Sequence, residues 1–228
     1  MKHLAEIEAV TDRAGYSQEV YSNCCLIIGN GPSLKDIPVE FLQSYPSFGS
    51  NRIYLLDGFT PTYYAATNPL IVEQFSDEIN VLDCMKFVGE SQRHLVPGAF
   101  PLHMTSRLSF SHHRDEPIYE GYTVTYVLLQ LAYWMGYQQV GLIGVDHRYK
   151  YTGSPNQVKE MTQENDVNHF APGYFAGYKR HNPDLAKSEN SYNLARREYM
   201  AAGRRIVNLT PGSALTVFDR EDWQSWQR

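Results

Sequence analysis

The feature that most constrains the fold is a short apolar run that ends abruptly in a glycine-rich turn. Residues 24–28 read Cys-Cys-Leu-Ile-Ile, and residues 29–34 read Gly-Asn-Gly-Pro-Ser-Leu. A continuous apolar run of this length, bounded by turn residues, is typical of a buried strand in a parallel sheet. Glycines let backbone N–H groups approach an anion closely, and proline stiffens the turn. We therefore expect a phosphate-binding turn at a sheet edge, with a purely structural turn as the alternative.

This turn differs from the common nucleotide-binding motifs. It does not match the dinucleotide fingerprint G-x-G-x-x-G, because position 34 is leucine, and no Gly-Lys-Ser/Thr follows as in a P-loop. A nucleotide site of another type is therefore the starting hypothesis.

Composition bounds the class of protein. The 228 residues suffice for one domain, and a net charge of −5 gives no basic surface for a nucleic acid partner. Cys24 and Cys25 are adjacent in a predicted strand and point to opposite faces, so they are poor disulfide partners. No signal peptide is recognisable, and the longest apolar segment, 126–137, is too short to span a bilayer. We predict a cytoplasmic protein with no transmembrane segment, and peripheral membrane contact stays open.

The periodicity predicts a single α/β domain over 1–228 with a mostly parallel sheet flanked by helices. An apolar helix over 123–135, ended by Gly136, precedes an apolar strand over 139–145. The other predicted strands cover residues 23–28, 47–51, 63–68, 86–88 and 205–208, and the other predicted helices cover residues 4–20, 35–45, 70–80 and 188–202.

Three regions have no place in that regular pattern. The amphipathic helix over 4–20 is a candidate lid or a contact of the homo-oligomer that we expect. Residues 92–119 predict a weak strand near Leu102 and then a long surface loop. Residues 149–185 lack a clear period but contain six aromatic side chains, which argues against disorder. A loop of this length in a compact domain is usually functional, so we expect it to act as a lid.

Asparagines end three of the predicted strands or their turns. They are Asn30, Asn51 and Asn68. Ligands of open α/β sheets bind outside the carboxyl ends of the strands, and an amide that both donates and accepts suits ribose hydroxyls and base edges. The alternative is that each asparagine serves its own turn.

Hydroxyl groups lie where a phosphate would be stabilised. Thr123 and Thr125 stand at the start of the predicted buried helix, whose free N–H groups favour an anion. The alternative is a simple threonine N-cap. Tyr149 and Tyr151 could donate hydrogen bonds to a leaving phosphate or could pack within their loop.

His169 is the candidate general base, because imidazole titrates near neutral pH. Asp166, three residues earlier, could orient it, although His169 could equally order its own loop. His147 and His181 are further candidates, and a zinc site built from His147, Asp166 and His169 is a less favoured alternative without recognised ligand spacing. Asp146 follows a buried strand and could point into the crevice, orient His147, or cap nearby N–H groups.

Several of these motifs together resemble the MptE-like domain family and the related bacterial sialyltransferases of glycosyltransferase family 42. The resemblance runs from about residue 23 to residue 218. Its most specific parts are Gly-Asn-Gly-Pro-Ser-Leu at 29–34 and the segment Gly-Tyr to Ile-Gly-Val-Asp at 136–146. Segments 168–175 and 208–213 resemble the MptE-like branch found near surface-polysaccharide functions.

The resemblance implies a variant Rossmann-like fold, a CMP-linked sugar donor, and no metal or other cofactor. It places a tyrosine at the leaving phosphate and a histidine as base. The family positions fall by count on Arg148 and Ala186, so Tyr149 and His169 are assigned by proximity. The nucleotide-binding roles that it implies fall on Gly29, Asn30, Gly31, Pro32, Ser33, Asn51, Asn68, Thr123 and Thr125.

The leading hypothesis is a metal-independent glycosyltransferase. It would move a sugar, such as a sialic acid-like nonulosonic acid, from a CMP-type donor to a glycan acceptor, with the 149–185 loop closing over the site. One alternative is an ATP-dependent diphosphokinase acting on a pterin alcohol, which would need Mg²⁺ near Asp36, Asp57 or Asp146. The other is a nucleotide-sugar-binding protein without catalytic activity.

Overall fold

The predicted opening strand is β1 (Cys24–Ile28), and all five of its residues are buried. The computed structural model describes residues 23–162 and 166–226. The helix predicted over 4–20 lies outside the described residues. Because β1 is covered on both sides, it carries apolar side chains at every position rather than alternating ones.

An eight-stranded sheet is built around β1. Its strand order is β12-β11-β8-β1-β2-β3-β4-β5, and every neighbouring pair is parallel. This confirms the predicted α/β class with a Rossmann-like, mostly parallel sheet. The other strands of this sheet are β2 (Ser47–Ser50), β3 (Tyr63–Ala66), β4 (Met85–Gly89), β5 (Phe100–Leu102), β8 (Gln139–Ile143), β11 (Arg205–Asn208) and β12 (Asp219–Arg220).

Helices cover both faces of the sheet and make two separate cores. Cys25 and Ile27 pack on one face with α3 (Val124–Trp134) and α4 (Leu185–Ala201). The other three residues of β1, Cys24, Leu26 and Ile28, pack on the opposite face with α2 (Pro69–Asn80). A further short helix, α1 (Val39–Gln43), follows a 3-10 turn over 32–36, where a longer helix over 35–45 was predicted. None of the helices in the described ranges is long and apolar enough to cross a membrane.

The weak strand predicted near Leu102 is present as β5, but the segment predicted to follow it as a long surface loop is partly structured and partly buried. The segment contains β6 (Met104–Thr105) paired with β7 (Ile118–Tyr119), and Phe110 is buried beside α3. Gln130 explains the attachment, because this buried amide on α3 accepts from Ser111 N at 3.1 Å and donates to Tyr119 O at 2.9 Å. A polar residue in an apolar helix therefore holds the segment, which sequence periodicity alone does not reveal.

The 149–185 segment also has regular structure that the sequence did not predict. An antiparallel ribbon joins β9 (Val158–Glu160) to β10 (Lys179–His181). Neither strand shows the apolar alternation that marks a half-buried strand, since charged residues occupy most positions.

The strand order reverses between β1 and β8, and the turns that follow these two strands are in direct backbone contact. Gly29 N donates to Ile143 O, and Gly31 N donates to Gly144 O, both at 2.8 Å. A Cβ atom on Gly29 would overlap the carbonyl oxygen of Gly144. Gly144 has a left-handed backbone (φ 69°), and a Cβ atom there would lie 2.7 Å from Gly29 O. The glycines are required because these turns approach too closely for any side chain.

We predict that Gly29→Ala lowers the free energy of unfolding by about 1–3 kcal/mol, because the backbone must shift to admit the methyl group. The matched control is Gly98→Ala, at an exposed turn where an added Cβ atom meets no atom within 4 Å. Urea unfolding of both variants measures the difference. Equal stability of the two variants would contradict the close approach.

Candidate functional site

A cavity of about 540 Å³ lies outside the carboxyl ends of the central strands. This volume is in the range of small-molecule sites, and the position is the switch point at which α/β sheets bind ligands. The turns after β1, β2, β3 and β8, the start of α3 and the segment around β10 all contribute to its wall.

Most of the predicted site residues line this one cavity. They are Gly29, Asn30, Gly31, Asn51, Asn68, Thr123, Thr125, Asp146, Tyr149 and His169. The glycine turn and the start of the buried helix, each predicted as a place for a phosphate, therefore line one cavity. Pro32, Ser33 and Tyr151 are not among the lining residues; Pro32 instead occupies the first turn of the 3-10 helix.

The glycine turn differs from the phosphate cradle that we expected. Its N–H groups at Gly29 and Gly31 already donate to the end of β8. The Asp146 carboxylate accepts from Ser33 N at 3.2 Å and from Ser33 Oγ at 2.7 Å, and a Cβ atom on Gly31 would overlap it. The protein's own carboxylate therefore occupies the place expected for an anion. The sequence suggested that Asp146 could orient His147, but Asp146 binds Ser33, and His147 Nε2 contacts Glu189 instead.

Asn30 carries a buried oxygen without a partner. Its Nδ2 donates to Ser50 O at 3.1 Å, which fixes the amide orientation, and its backbone oxygen accepts from Phe170 N at 3.0 Å. Within the described ranges, Asn30 Oδ1 is buried and receives no hydrogen bond. Because buried polar atoms are almost always paired, this oxygen is a place for a ligand hydroxyl or amino group.

The other two strand-end asparagines differ from each other. Asn51 has a left-handed backbone (φ 50°), which asparagine tolerates better than most residues, and lines the cavity. Asn68 caps α2 by accepting from Leu70 N at 3.0 Å and donates to His181 Nδ1 at 3.1 Å. Asn68 therefore serves its own turn, the structural alternative weighed from the sequence, and both its amide oxygen and its amide nitrogen are hydrogen-bonded within the protein.

His169 and Asp166 form a tight buried pair. His169 Nδ1 lies 2.7 Å from Asp166 Oδ2, with 9% and 3% of the two side chains exposed. Burial of Asp166 would raise its pKa, but hydrogen bonds from His169 and from Asn168 N outweigh it and hold the pKa of this carboxyl below its usual value. Because an ionised carboxylate only accepts hydrogen bonds, the proton of the contact lies on His169 Nδ1, and Nε2 is the ring nitrogen left to act as a base.

Aromatic stacking fixes the imidazole in place. The ring of Tyr174 stacks on His169 with centroids 4.1 Å apart. Arg52 holds Tyr174 in turn, since Arg52 N donates to Tyr174 Oη at 2.8 Å and its guanidinium donates to Tyr174 O. The guanidinium also lies 4.3 Å from the centroid of Phe75, a cation–π arrangement. This brace joins His169 to the end of β2, so the imidazole has little freedom to turn.

The start of α3 places hydroxyl groups at the cavity. Thr123 caps the helix by accepting from Thr125 N at 3.3 Å, and its Oγ1 lies 3.3 Å from Tyr192 Oη. Thr123 is therefore an N-cap residue, as the structural alternative predicted from the sequence. Tyr149 lies near Tyr192, and burial raises its pKa to about 12 although 36% of the residue is exposed. Its hydroxyl is consequently a neutral donor at physiological pH.

The remaining histidines have other partners. His147 Nε2 lies 2.9 Å from Glu189 Oε1, and His181 pairs with Asn68. Over residues 23–162 and 166–226 no three His, Cys, Asp or Glu side chains are placed to hold a metal ion. His147, Asp166 and His169 therefore do not form the zinc ligand set weighed from the sequence.

Sequence reasoning missed three buried polar residues that line the cavity. They are Arg180, Asn182 and Tyr192, each less than 7% exposed. Asn182 Nδ2 donates to two backbone oxygens, whereas its Oδ1 is buried without a partner among the described residues. A sequence signal for Arg180 and Asn182 was the polar cluster Lys-Arg-His-Asn at 179–182, within the predicted lid. Such a cluster does not by itself indicate a binding site, because a run of charged residues usually lies on a solvated surface.

Comparison with known proteins supports the fold but no family. No protein-family model and no curated protein matches the chain. The chain is structurally similar to the MAf glycosyltransferase from Magnetospirillum magneticum AMB-1, with a TM-score of 0.56 and 14% identity over 93% of this chain. The match spans 35% of that protein's length. This likeness supports a fold shared with part of that protein, and the resemblance to the MptE-like family is not confirmed.

We predict that Asp166→Asn destabilises the protein by about 1–3 kcal/mol at pH 7, because it removes a buried charge-assisted hydrogen bond. The pKa of Asp166 is lower in the folded chain than its ordinary value of 3.8. The carboxylate therefore stabilises the fold above pH 3.8 and loses this effect as the pH falls through the lower folded value. Urea unfolding from pH 7 down to pH 3 should show the two proteins converging in acid. A difference independent of pH would contradict the role of an ionised Asp166.

Proposed function

We propose that the protein is a glycosyltransferase that moves a sugar from a nucleotide-activated donor of the CMP type to a hydroxyl group of a glycan acceptor. The observation that carries the proposal is the His169–Asp166 pair, whose imidazole lines the same switch-point cavity as the strand-end asparagines. An oriented imidazole beside a cavity of ligand size is an arrangement suited to group transfer to a hydroxyl. The similarity to a glycosyltransferase fold agrees with it.

The nucleoside would lie against the turns after β1, β2 and β3. The unpaired Asn30 Oδ1 would accept from a ribose hydroxyl or a base amino group, and Asn51 would supply a second amide. Gly29 and Gly31 would contribute close backbone packing. Asn68 would act mainly through its cap on α2.

The transfer step needs one base and one stabilised leaving group. His169 Nε2 would take the proton of the acceptor hydroxyl while that oxygen bonds to the anomeric carbon of the sugar. The bond from this carbon to the phosphate oxygen would break, and CMP would leave with its electron pair. The neutral hydroxyl of Tyr149 would donate to the departing phosphate. No metal ion enters this scheme.

Donor and acceptor classes follow from the same proposal. A nonulosonic acid such as sialic acid fits a CMP-type donor, and a glycan of a surface polysaccharide is the proposed acceptor. The packed segment around His169 would exclude water from the site. Such exclusion would favour transfer over hydrolysis.

Nucleotide binding tests the donor assignment. Titration calorimetry of the wild-type protein with CMP, CDP, UDP, GDP and ATP, each with and without Mg²⁺, should show binding of the cytidine nucleotides without a metal requirement. Binding of ATP alone, dependent on Mg²⁺, would favour the diphosphokinase alternative. Absence of cytidine nucleotide binding would contradict the proposal.

We predict that His169→Ala lowers turnover of a CMP-sugar by about 10²- to 10⁴-fold, the range for loss of a general base, with CMP affinity retained. The readout is release of CMP from the CMP-sugar, with and without acceptor glycans. His103→Ala is the control, because this side chain is 73% exposed and does not line the cavity. Equal activity of His169→Ala and wild type would exclude the base role, and an inactive wild type that binds CMP would support the non-catalytic alternative.

A further inference from the structure

Arg180 is a buried cation that forms no ion pair with any residue that the structure describes. Only 6% of this residue on β10 is exposed, and it lines the cavity. Its one side-chain hydrogen bond to a described residue runs from Nε to Met161 Sδ at 3.4 Å, and a thioether is a weak acceptor. Among the residues that the structure describes, no carboxylate lies within 4.0 Å of the guanidinium.

A charge in this position is unfavourable unless something pairs with it. Burial of an unpaired ion is costly, and buried charges in proteins are normally paired or hydrogen-bonded. The acidic side chain that influences Arg180 is Asp166, which already accepts from His169 and from Asn168 N. The guanidinium therefore has unused donors inside a cavity of ligand size.

The anion position expected from the sequence is closed, which leaves Arg180 as the alternative. In the glycine turn the Asp146 carboxylate accepts the hydrogen bonds of Ser33 N and Oγ. Its negative charge would repel a phosphate there. The positive charge at Arg180 lies instead near the hydroxyl of Tyr149, whose pKa it influences. A cation and a neutral hydroxyl donor thus line the same cavity.

We propose that Arg180 is the residue that binds the anionic group of the ligand, with Tyr149 as a second donor. The anion is a phosphate of the nucleotide or the carboxylate of an acidic sugar, since both match the forked donors of a guanidinium. The nucleotide identity rests on the proposed function, whereas the anion site rests on the burial of Arg180 and on its lack of a carboxylate partner.

The test compares Arg180→Gln with Lys179→Gln. Both variants remove one positive charge, but Lys179 is the exposed neighbour on the same strand and does not line the cavity. Calorimetry and thermal unfolding are measured with inorganic phosphate, CMP, cytidine and N-acetylneuraminic acid. We expect Arg180→Gln to weaken binding of the anion by about ten- to a hundredfold, as for the loss of a charged hydrogen bond, and Lys179→Gln to bind as wild type does.

The four probes separate the sources of the anion. Weaker binding of CMP and phosphate with unchanged cytidine binding identifies the phosphate, and weaker binding of the sugar acid identifies the carboxylate. If wild type binds phosphate no less tightly than CMP and Arg180→Gln loses both, the anion site stands and the nucleotide assignment fails.

A ligand-free readout covers the case of a poorly folding variant. Removal of an unpaired buried charge should leave the melting temperature of the free protein unchanged or raised, whereas removal of a structural arginine would lower it. Arg180→Lys keeps the charge without the fork and should bind the anion with intermediate affinity. The inference is overturned if wild type binds none of the anions, or if Arg180→Gln and Lys179→Gln bind them equally.

Discussion

The backbone contact between the ends of β1 and β8 is the constraint on which the rest of the structure depends. Gly29 and Gly144 approach so closely that neither position can carry a side chain. This contact sets the two strands side by side at the point where the sheet reverses its order. The turns that leave these strands then diverge and open the crevice above them. The cavity is thus a consequence of chain topology.

Three buried polar groups on the cavity wall lack partners. Asn30 Oδ1 and Asn182 Oδ1 receive no hydrogen bond, and Arg180 has no carboxylate, as far as the described residues extend. Each one costs folding free energy, because burial removes its hydration without replacement. All three residues line the same cavity, so a single polar, anionic ligand could satisfy them together. Such groups are typical of sites that trade stability for binding.

Local patterns predicted the framework because its signals are local. The apolar run of β1 and the apolar helix α3 with its threonine cap were both recognisable within about a dozen residues. The location of the site at the strand ends then followed from the rule that ligands of open α/β sheets bind outside the carboxyl ends of the strands. Asn30, Asn51 and Asn68 were found in this way, and all three line the cavity.

The parts that escaped prediction depend on distant partners. Ser33 meets Asp146 across 113 residues, and no local pattern announces that a carboxylate will fill the glycine turn. Arg180 resembles any surface cation in sequence, because its burial comes from packing of the β9–β10 ribbon against the cavity. Gln130 likewise holds the 109–119 segment through backbone groups that periodicity cannot identify.

A crystal structure of the protein soaked with CMP tests the central claim most directly. The account predicts density for the nucleotide in the cavity above β1 and β8, with the sugar or base at Asn30 and the phosphate within hydrogen-bond distance of Arg180. Density for CMP elsewhere on the protein, or an empty cavity at a saturating concentration, would contradict it.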